Sequence, residues 1–268
     1  MKKISHGGNI YKKAKEMGIR EEDILDFSAN ISPLGLPEHI RKAMIEAIDG
    51  TINYPDPDCS RLKEAISKQD NVPESHITCG NGGADLLYRL AFGLHPKKVL
   101  LPAPAFVEYE EALSAAGAQM EYYLMRDDFV IKEDILEQIT EETDFVVICN
   151  PNNPTGILTE KELILRVLER AKETNTFVMA DECFLEICQN ESEYTVKPFI
   201  EKYENLIILK SFTKLYAIPG VRLGYILAGS EDVIAKVNRT GQAWSVSHIA
   251  QCAGVAALSD NVYKERVI

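Results

Sequence analysis

The sequence lacks the positive charge that a polyanion would select. Its 29 basic residues stand against 41 acidic ones, a formal net charge of -12, so nucleic acid and anionic membrane surfaces are poor partners and any phosphate must be bound locally. No apolar run is long enough to span a bilayer, and the basic start, MKK, is not followed by the apolar stretch of a signal peptide. The six cysteines include no C-x-x-C pair. Several lie in apolar runs, where a free thiol behaves as a small hydrophobe, so reduced core cysteines and no metal site are expected. There is no Pro/Gly/Ser-rich linker, low-complexity tract or repeat. What is present is an ordinary globular composition, 46% hydrophobic and 26% charged over 268 residues, near the upper size of one hydrophobic core. A soluble cytoplasmic protein, with neither nucleic acid nor membrane as partner, is the expectation.

Short apolar runs recur along the chain, at His76-Cys79, Lys97-Pro102, Gln119-Leu124, Asp144-Asn150, Thr176-Asp181, Asn205-Lys210 and Leu223-Ala228. Between them, segments such as Ala84-Leu94, Val107-Ala116 and Glu160-Glu173 carry apolar residues at helical spacing. This alternation predicts an α/β fold, a mostly parallel seven-stranded sheet covered by helices on both faces. The N-terminal residues fall outside the alternation. They read as a short helix Ile10-Met17, an irregular loop through Phe27-Pro33 and the start of a long helix after Pro37. At the other end Ile249-Leu258 and Val262-Ile268 look helical, with no Gly, Pro or polar tail to close them, which is the pattern of a fragment of a longer chain.

In open sheets of this kind ligands bind at the carboxyl ends of the strands, and the unusual motifs here all follow strands. Cys79-Gly80-Asn81-Gly82-Gly83-Ala84-Asp85 leads into a helix whose first N-H groups are left bare for an anion, although such a turn is often only a turn. It does not continue as G-x-G-x-x-G, so a dinucleotide site is the lesser reading. Asn150-Pro151-Asn152-Asn153-Pro154-Thr155-Gly156 is either a rigid loop ending near an N-cap Thr159 or a device that fixes the Asn153 amide toward a ligand. Asp181 ends an apolar strand beside Glu182. It is either an N-cap or a carboxylate awaiting a cation such as a protonated ring nitrogen. Lys210-Ser-Phe-Thr-Lys214-Leu-Tyr-Ala-Ile-Pro-Gly-Val-Arg222-Leu-Gly224 sets Lys214 between hydroxyls in an apolar stretch. Most lysines are solvated, but this setting can lower the amine's pKa toward that of a nucleophile.

Taken together over about 140 residues, these motifs resemble, in order and spacing, the fold-type I, class I/II aminotransferases and their relatives. The resemblance implies an enzyme that uses pyridoxal 5'-phosphate (PLP), built as the PLP fold-type I large domain with an incomplete small domain. It implies that Lys214 holds the cofactor as an imine, Asp181 pairs with the pyridine nitrogen and Asn153 hydrogen-bonds the ring hydroxyl, making these three the catalytic candidates. Gly80, Asn81, Gly82, Ser211, Thr213 and Arg222 would surround the phosphate. Phe106 matches the aromatic that stacks on the ring, its plainer reading being a core aromatic at a helix start. Tyr54 matches a tyrosine that reaches the neighbouring subunit's phosphate, which implies a homodimer with shared sites. The domain boundaries that follow are an N-terminal arm and small-domain portion over 1–42, the PLP-binding large domain over 43–255 and the start of a small-domain segment over 256–268.

Within the family, His6-Gly7-Gly8-Asn9, Leu25-Gly35, Tyr54-Asp58 and Ala243-Val246 resemble the branch that decarboxylates a small phosphorylated amino acid. That branch implies that His6 and Asn30 help to enclose the substrate; alternatively, the first segment is a lead-in with Asn9 as helix cap. Phe184 agrees with the branch, because class I/II aminotransferases commonly carry a tyrosine three residues after the ring-pairing aspartate. The alternatives are a histidinol-phosphate-type aminotransferase and a non-catalytic scaffold of the same fold.

Overall fold

The structure, a computed structural model, describes residues 7–268; His6, expected at the substrate, lies outside the described residues. Seven strands form where the apolar runs predict them: β1 (Ile77–Gly80), β2 (Lys98–Ala103), β3 (Gln119–Leu124), β4 (Phe145–Cys149), β5 (Phe177–Asp181), β6 (Leu206–Ser211) and β7 (Gly224–Ala228). They make one sheet in the order β1-β7-β6-β5-β4-β2-β3. All pairings are parallel except those of β7, which runs antiparallel to both β6 and β1.

Eleven α-helices lie among the described residues. They are α1 (Ile10–Met17), α2 (Glu38–Glu46), α3 (Ser60–Asp70), α4 (Gly83–Leu94), α5 (Val107–Ala115), α6 (Ile135–Gln138), α7 (Lys161–Glu173), α8 (Glu191–Tyr194), α9 (Glu231–Thr240), α10 (His248–Ala257) and α11 (Asn261–Val267). The strands are apolar because helices cover both faces of the sheet: every residue of β1, β4, β6 and β7 is buried. Strand β3, at the sheet edge, is polar and mostly exposed, which blunts the edge against further pairing.

Alternation along each strand sorts the core into two clusters. Val146, Ile148, Val178, Ala180, Leu206 and Ile208 point to one face, where Leu62, Ile66, Leu163, Val167 and Ala253 of α3, α7 and α10 pack. Val147, Cys149, Met179, Ile207 and Leu209 point to the other, against Leu86, Leu90, Tyr109, Leu113 and Val237 of α4, α5 and α9. By the same parity Asp181 and Ser211 belong to the second face, and their neighbours Glu182 and Lys210 to the first.

Two local expectations are corrected. The long helix expected after Pro37 is α2, of nine residues, followed by a 3-10 turn over Ile48–Ile52. Gly50 in that turn lies so close to the His248 ring of α10 that any side chain there would collide with it, so tertiary packing fixes the break. Thr159 does not cap α7; Glu160 holds that place, and Thr159 instead exchanges two hydrogen bonds with the Asn150 side chain, 2.9 Å from its N-H and 3.1 Å to its carbonyl.

Candidate active site

The ends of β1 and β6 and the start of β7 meet at one edge. Gly224 pairs with Gly80 on one side and with Ser211 on the other, so segments far apart in sequence come together. At Gly224 a Cβ would stand 3.2 Å from Gly83 N and 3.0 Å from the Lys210 carbonyl, a tight fit against backbone, and its lack of a side chain lets the N-terminus of α4 sit directly on β7. Gly82 enters the helix with φ +86, and a Cβ there would lie 2.7 Å from an Arg222 guanidinium nitrogen. The Ser211 and Thr213 hydroxyls are buried and 2.8 Å apart, with Thr213 N-H donating to Ser211 Oγ at 3.2 Å. The result is an anion cradle: the N-terminus of a 12-residue helix, two hydroxyls and a guanidinium. Ala217 and Arg222, in the loop that supplies the lysine and the guanidinium, hold left-handed backbone (φ 52 and 58), conformational strain of the kind concentrated at binding loops.

A cavity of about 330 Å³ opens from this cradle, lined among others by Phe106, Asn153, Asp181, Phe184, Lys214 and Arg222. Of the cradle motif Gly80-Asn81-Gly82, none lines the cavity itself; Gly83 and Ala84 do, one helical step further on. Asn81 N-H is turned to Asp85 at 2.9 Å. Asn153 lines the cavity with no hydrogen bond from its amide to a described residue, whereas Asn152 donates to Pro104 O and Thr155, and Asn150 is bound to Thr159. The loop thus spends two asparagines on its own shape and leaves the third for a ligand.

Asp181 is 6% exposed and makes no ion pair with a described residue. Its two oxygens take one neutral donor each, Cys183 N-H at 2.9 Å and the Tyr109 hydroxyl at 2.6 Å. A buried carboxylate with neutral donors only is electrostatically unfinished, and a cationic N-H in the cavity would complete it. Lys214 faces it across the cavity. Burial pushes the Lys214 amine below its ordinary value, Arg222 adds repulsion, and Cys183 and Asp181 oppose both without reversing the shift. Its Nζ lies 5.4 Å from the centroid of the Phe184 ring, which has no hydroxyl to offer. The motif reading did not single out Tyr109. Its signal was positional, one helical turn beyond Phe106 on α5, and the two rings meet edge to face at 5.6 Å.

A second cavity, of about 370 Å³, adjoins the first through Asn153 and Phe184 and is walled by Asn30, Ser32 and Pro151 among others. Asn30 is therefore beside the site. Tyr54 is not: it is 79% exposed and stacked on Trp244 at 4.5 Å.

Chemically, this arrangement can hold a phosphate, pair a protonated ring nitrogen and present an amine of reduced basicity to an aldehyde. The chain belongs to the class I and II aminotransferase family, whose family model matches residues 22–266. Proteins of this family are enzymes that use PLP, and the donor set fits that group. The chain is similar to the threonine-phosphate decarboxylase of Salmonella typhimurium, 36% identical over 97% of this chain and 72% of that protein. Among solved structures it is similar to the histidinol-phosphate aminotransferase from Clostridium acetobutylicum (TM-score 0.85, 30% identity, 91% of this chain and 72% of that one). It is similar also to the L-threonine-O-3-phosphate decarboxylase from Porphyromonas gingivalis (TM-score 0.80, 29% identity, 90% and 70%).

Proposed function

We propose that this chain carries the active site of a PLP-dependent decarboxylase that converts L-threonine O-3-phosphate to (R)-1-aminopropan-2-ol phosphate and carbon dioxide, in cobalamin biosynthesis. When bound, PLP supplies an aldehyde for an amino group and a protonated ring that accepts the electrons released at the substrate's alpha carbon. In this reading Gly82, Ser211, Thr213 and Arg222 bind the cofactor phosphate, with Gly80 and Asn81 shaping the turn. Asp181 holds the ring proton, Asn153 donates to the ring hydroxyl and Phe106 lies on the ring. The Lys214 amine, of lowered basicity, is the attachment point. Residues 43–255 then form the cofactor-binding domain, and 1–42 and 256–268 belong with the smaller one.

Decarboxylation and transamination differ in which bond at the alpha carbon stands perpendicular to the ring, so the protein chooses by orientation. The observation that carries the choice is the second cavity meeting the first at Asn153 and Phe184, with Asn30 in its wall. It gives the far, phosphorylated end of the substrate a place beyond the cofactor, and anchoring that end leaves the carboxylate free to turn out of the ring plane. Phe184 supports the same reading, since no hydroxyl of that side chain bonds the ring oxygen. A homodimer is part of the proposal: Tyr54 is exposed and does not line its own chain's cavity, and Ile45, Ile48 and Ile52, close to it in sequence, are exposed too, apolar surface suited to a second copy.

The comparisons keep a histidinol-phosphate-type aminotransferase as the alternative. Incubation with L-threonine phosphate, and separately with histidinol phosphate plus 2-oxoglutarate, separates the two. Release of carbon dioxide with an aminopropanol phosphate is expected, whereas glutamate without carbon dioxide makes the protein an aminotransferase. A scaffold that does not bind the cofactor is excluded if borohydride fixes the cofactor on the peptide that contains Lys214, and one that binds it without catalysis is excluded by turnover in either incubation.

A further inference from the structure

We infer that Tyr109 is the positioning residue for Asp181, holding one carboxylate oxygen by its buried hydroxyl so that the other lone pairs face the cavity ring. The inference rests on the PLP reading above and adds a residue to it. The geometry is specific. Tyr109 is 1% exposed, and its hydroxyl donates to Asp181 Oδ2 at 2.6 Å, a distance typical of a hydroxyl bonded to an ionised acceptor. Asp181 Oδ1 is engaged separately by Cys183 N-H at 2.9 Å. With one donor on each oxygen the carboxylate cannot rotate without breaking a bond.

The surroundings leave Tyr109 one role in that pair. Burial and the nearby Asp181 charge push its phenol well above its usual range, so it stays protonated and only donates. The ring stands at the third position of α5, immediately after Phe106, and packs edge to face against it. One helical turn therefore delivers both the aromatic face expected over the cofactor and the hydroxyl that orients its counter-charge. Removing the hydroxyl leaves Asp181 Oδ2 without its donor and free to swing, which weakens its alignment with a ring N-H without removing its charge.

The test is a double-mutant cycle read by cofactor affinity, with PLP titrated into cofactor-free protein and binding followed by absorbance. Tyr109→Phe keeps the ring and is expected to weaken PLP binding by roughly tenfold, in line with the loss of a charge-assisted hydrogen bond. In the Asp181→Asn background the same substitution should change affinity by less than about twofold, because the residue acts through a carboxylate that is no longer there. A tenfold loss in both backgrounds would show that Tyr109 supports the fold rather than Asp181, and no loss in the wild-type background would overturn the proposal as well. Wild-type protein that fails to bind PLP would instead sink the cofactor reading, an outcome distinct from either. Thermal unfolding of the cofactor-free Tyr109→Phe protein, expected to stay close to wild type, keeps a folding defect from passing as the effect.

Discussion

Lys210 and Lys214 sit one strand end apart and meet opposite environments. Lys210 points to the first face of the sheet, fully buried, with its Nζ 3.7 Å from Glu186, 3.7 Å from Glu191 and 3.9 Å from Glu182. Burial works against its charge, but those carboxylates outweigh it and hold the ammonium protonated. Lys264 of α11 joins the cluster, 2.7 Å from Glu191, so charges on a sheet strand and on the C-terminal helix clamp the segment after Phe184 between them. Lys214, beyond the strand, lines the same cavity as Asp181 and makes no ion pair with a described residue, and its amine is pushed the other way. The same side chain is a structural cation in one place and, on the proposed reading, a nucleophile in the other. Carboxylate spacing and burial make the difference, and lysine itself contributes nothing to it.

Replacing each lysine should break the comparison in a different way. The largest effect is expected from Lys214→Ala, which removes the amine proposed to carry the cofactor. The visible absorption of the bound cofactor should vanish and turnover fall at least about a thousandfold, while unfolding by urea shifts by less than about 1 kcal/mol. An unchanged spectrum would refute the assignment. Lys210→Met should do the reverse. It strands the buried Glu182 carboxylate without its cation and is expected to cost about 3–5 kcal/mol of stability in urea, with the cofactor spectrum retained in the protein that stays folded. A loss below about 1 kcal/mol would mean that the cluster holds its charge in some other way.

The smallest effect is in pH dependence. Lys214 has a folded-state pKa below the ordinary lysine value of 10.5, so at neutral pH the folded protein bears the cost of a charged amine there, and the cost fades as pH rises through the lowered value toward 10.5. Cofactor-free Lys214→Met is therefore expected to be slightly more stable than wild type at pH 7, with the gap closing as pH approaches that limit. Lys210, with its pKa raised, has the opposite sign: its contribution is complete below 10.5 and is lost only above it. Urea midpoints measured across alkaline pH would show the two slopes, and a gap for Lys214→Met that widens with pH would contradict the environment described.

The strands were legible because burial on both faces forces unbroken apolar runs, which a sequence displays directly. The motif glycines were legible too, though Gly82 and Gly224 are explained only by what stands against them, Arg222 and the N-terminus of α4. Helix α9, not singled out beforehand, covers the sheet with only Val233, Ile234 and Val237 buried, too sparse a stripe to stand out beside the strand before it. Lys210 could be read as a strand end but not as a buried ion, because its partners lie just beyond β5, in the following turn and on α8. Tyr109 was hidden for a related reason: its partner Asp181 lies on β5, and no local pattern marks a tyrosine that donates across a fold.

The antiparallel strand also sets an order in time. β1 is the first strand of the chain yet occupies the sheet edge, where β7, the last strand, is its neighbour. Until β7 is made and slotted between β6 and β1, the N-terminus of the helix that begins at Gly83 lacks the strand it sits on, and Gly80 and Ser211 have no common partner. The anion cradle therefore rests on contacts of long sequence separation, of the kind that form slowly and late. On the proposed reading, a nascent chain released short of Ala228 would carry most of the cavity's residues and still be unable to seat the phosphate, so retention of the cofactor would mark a finished sheet.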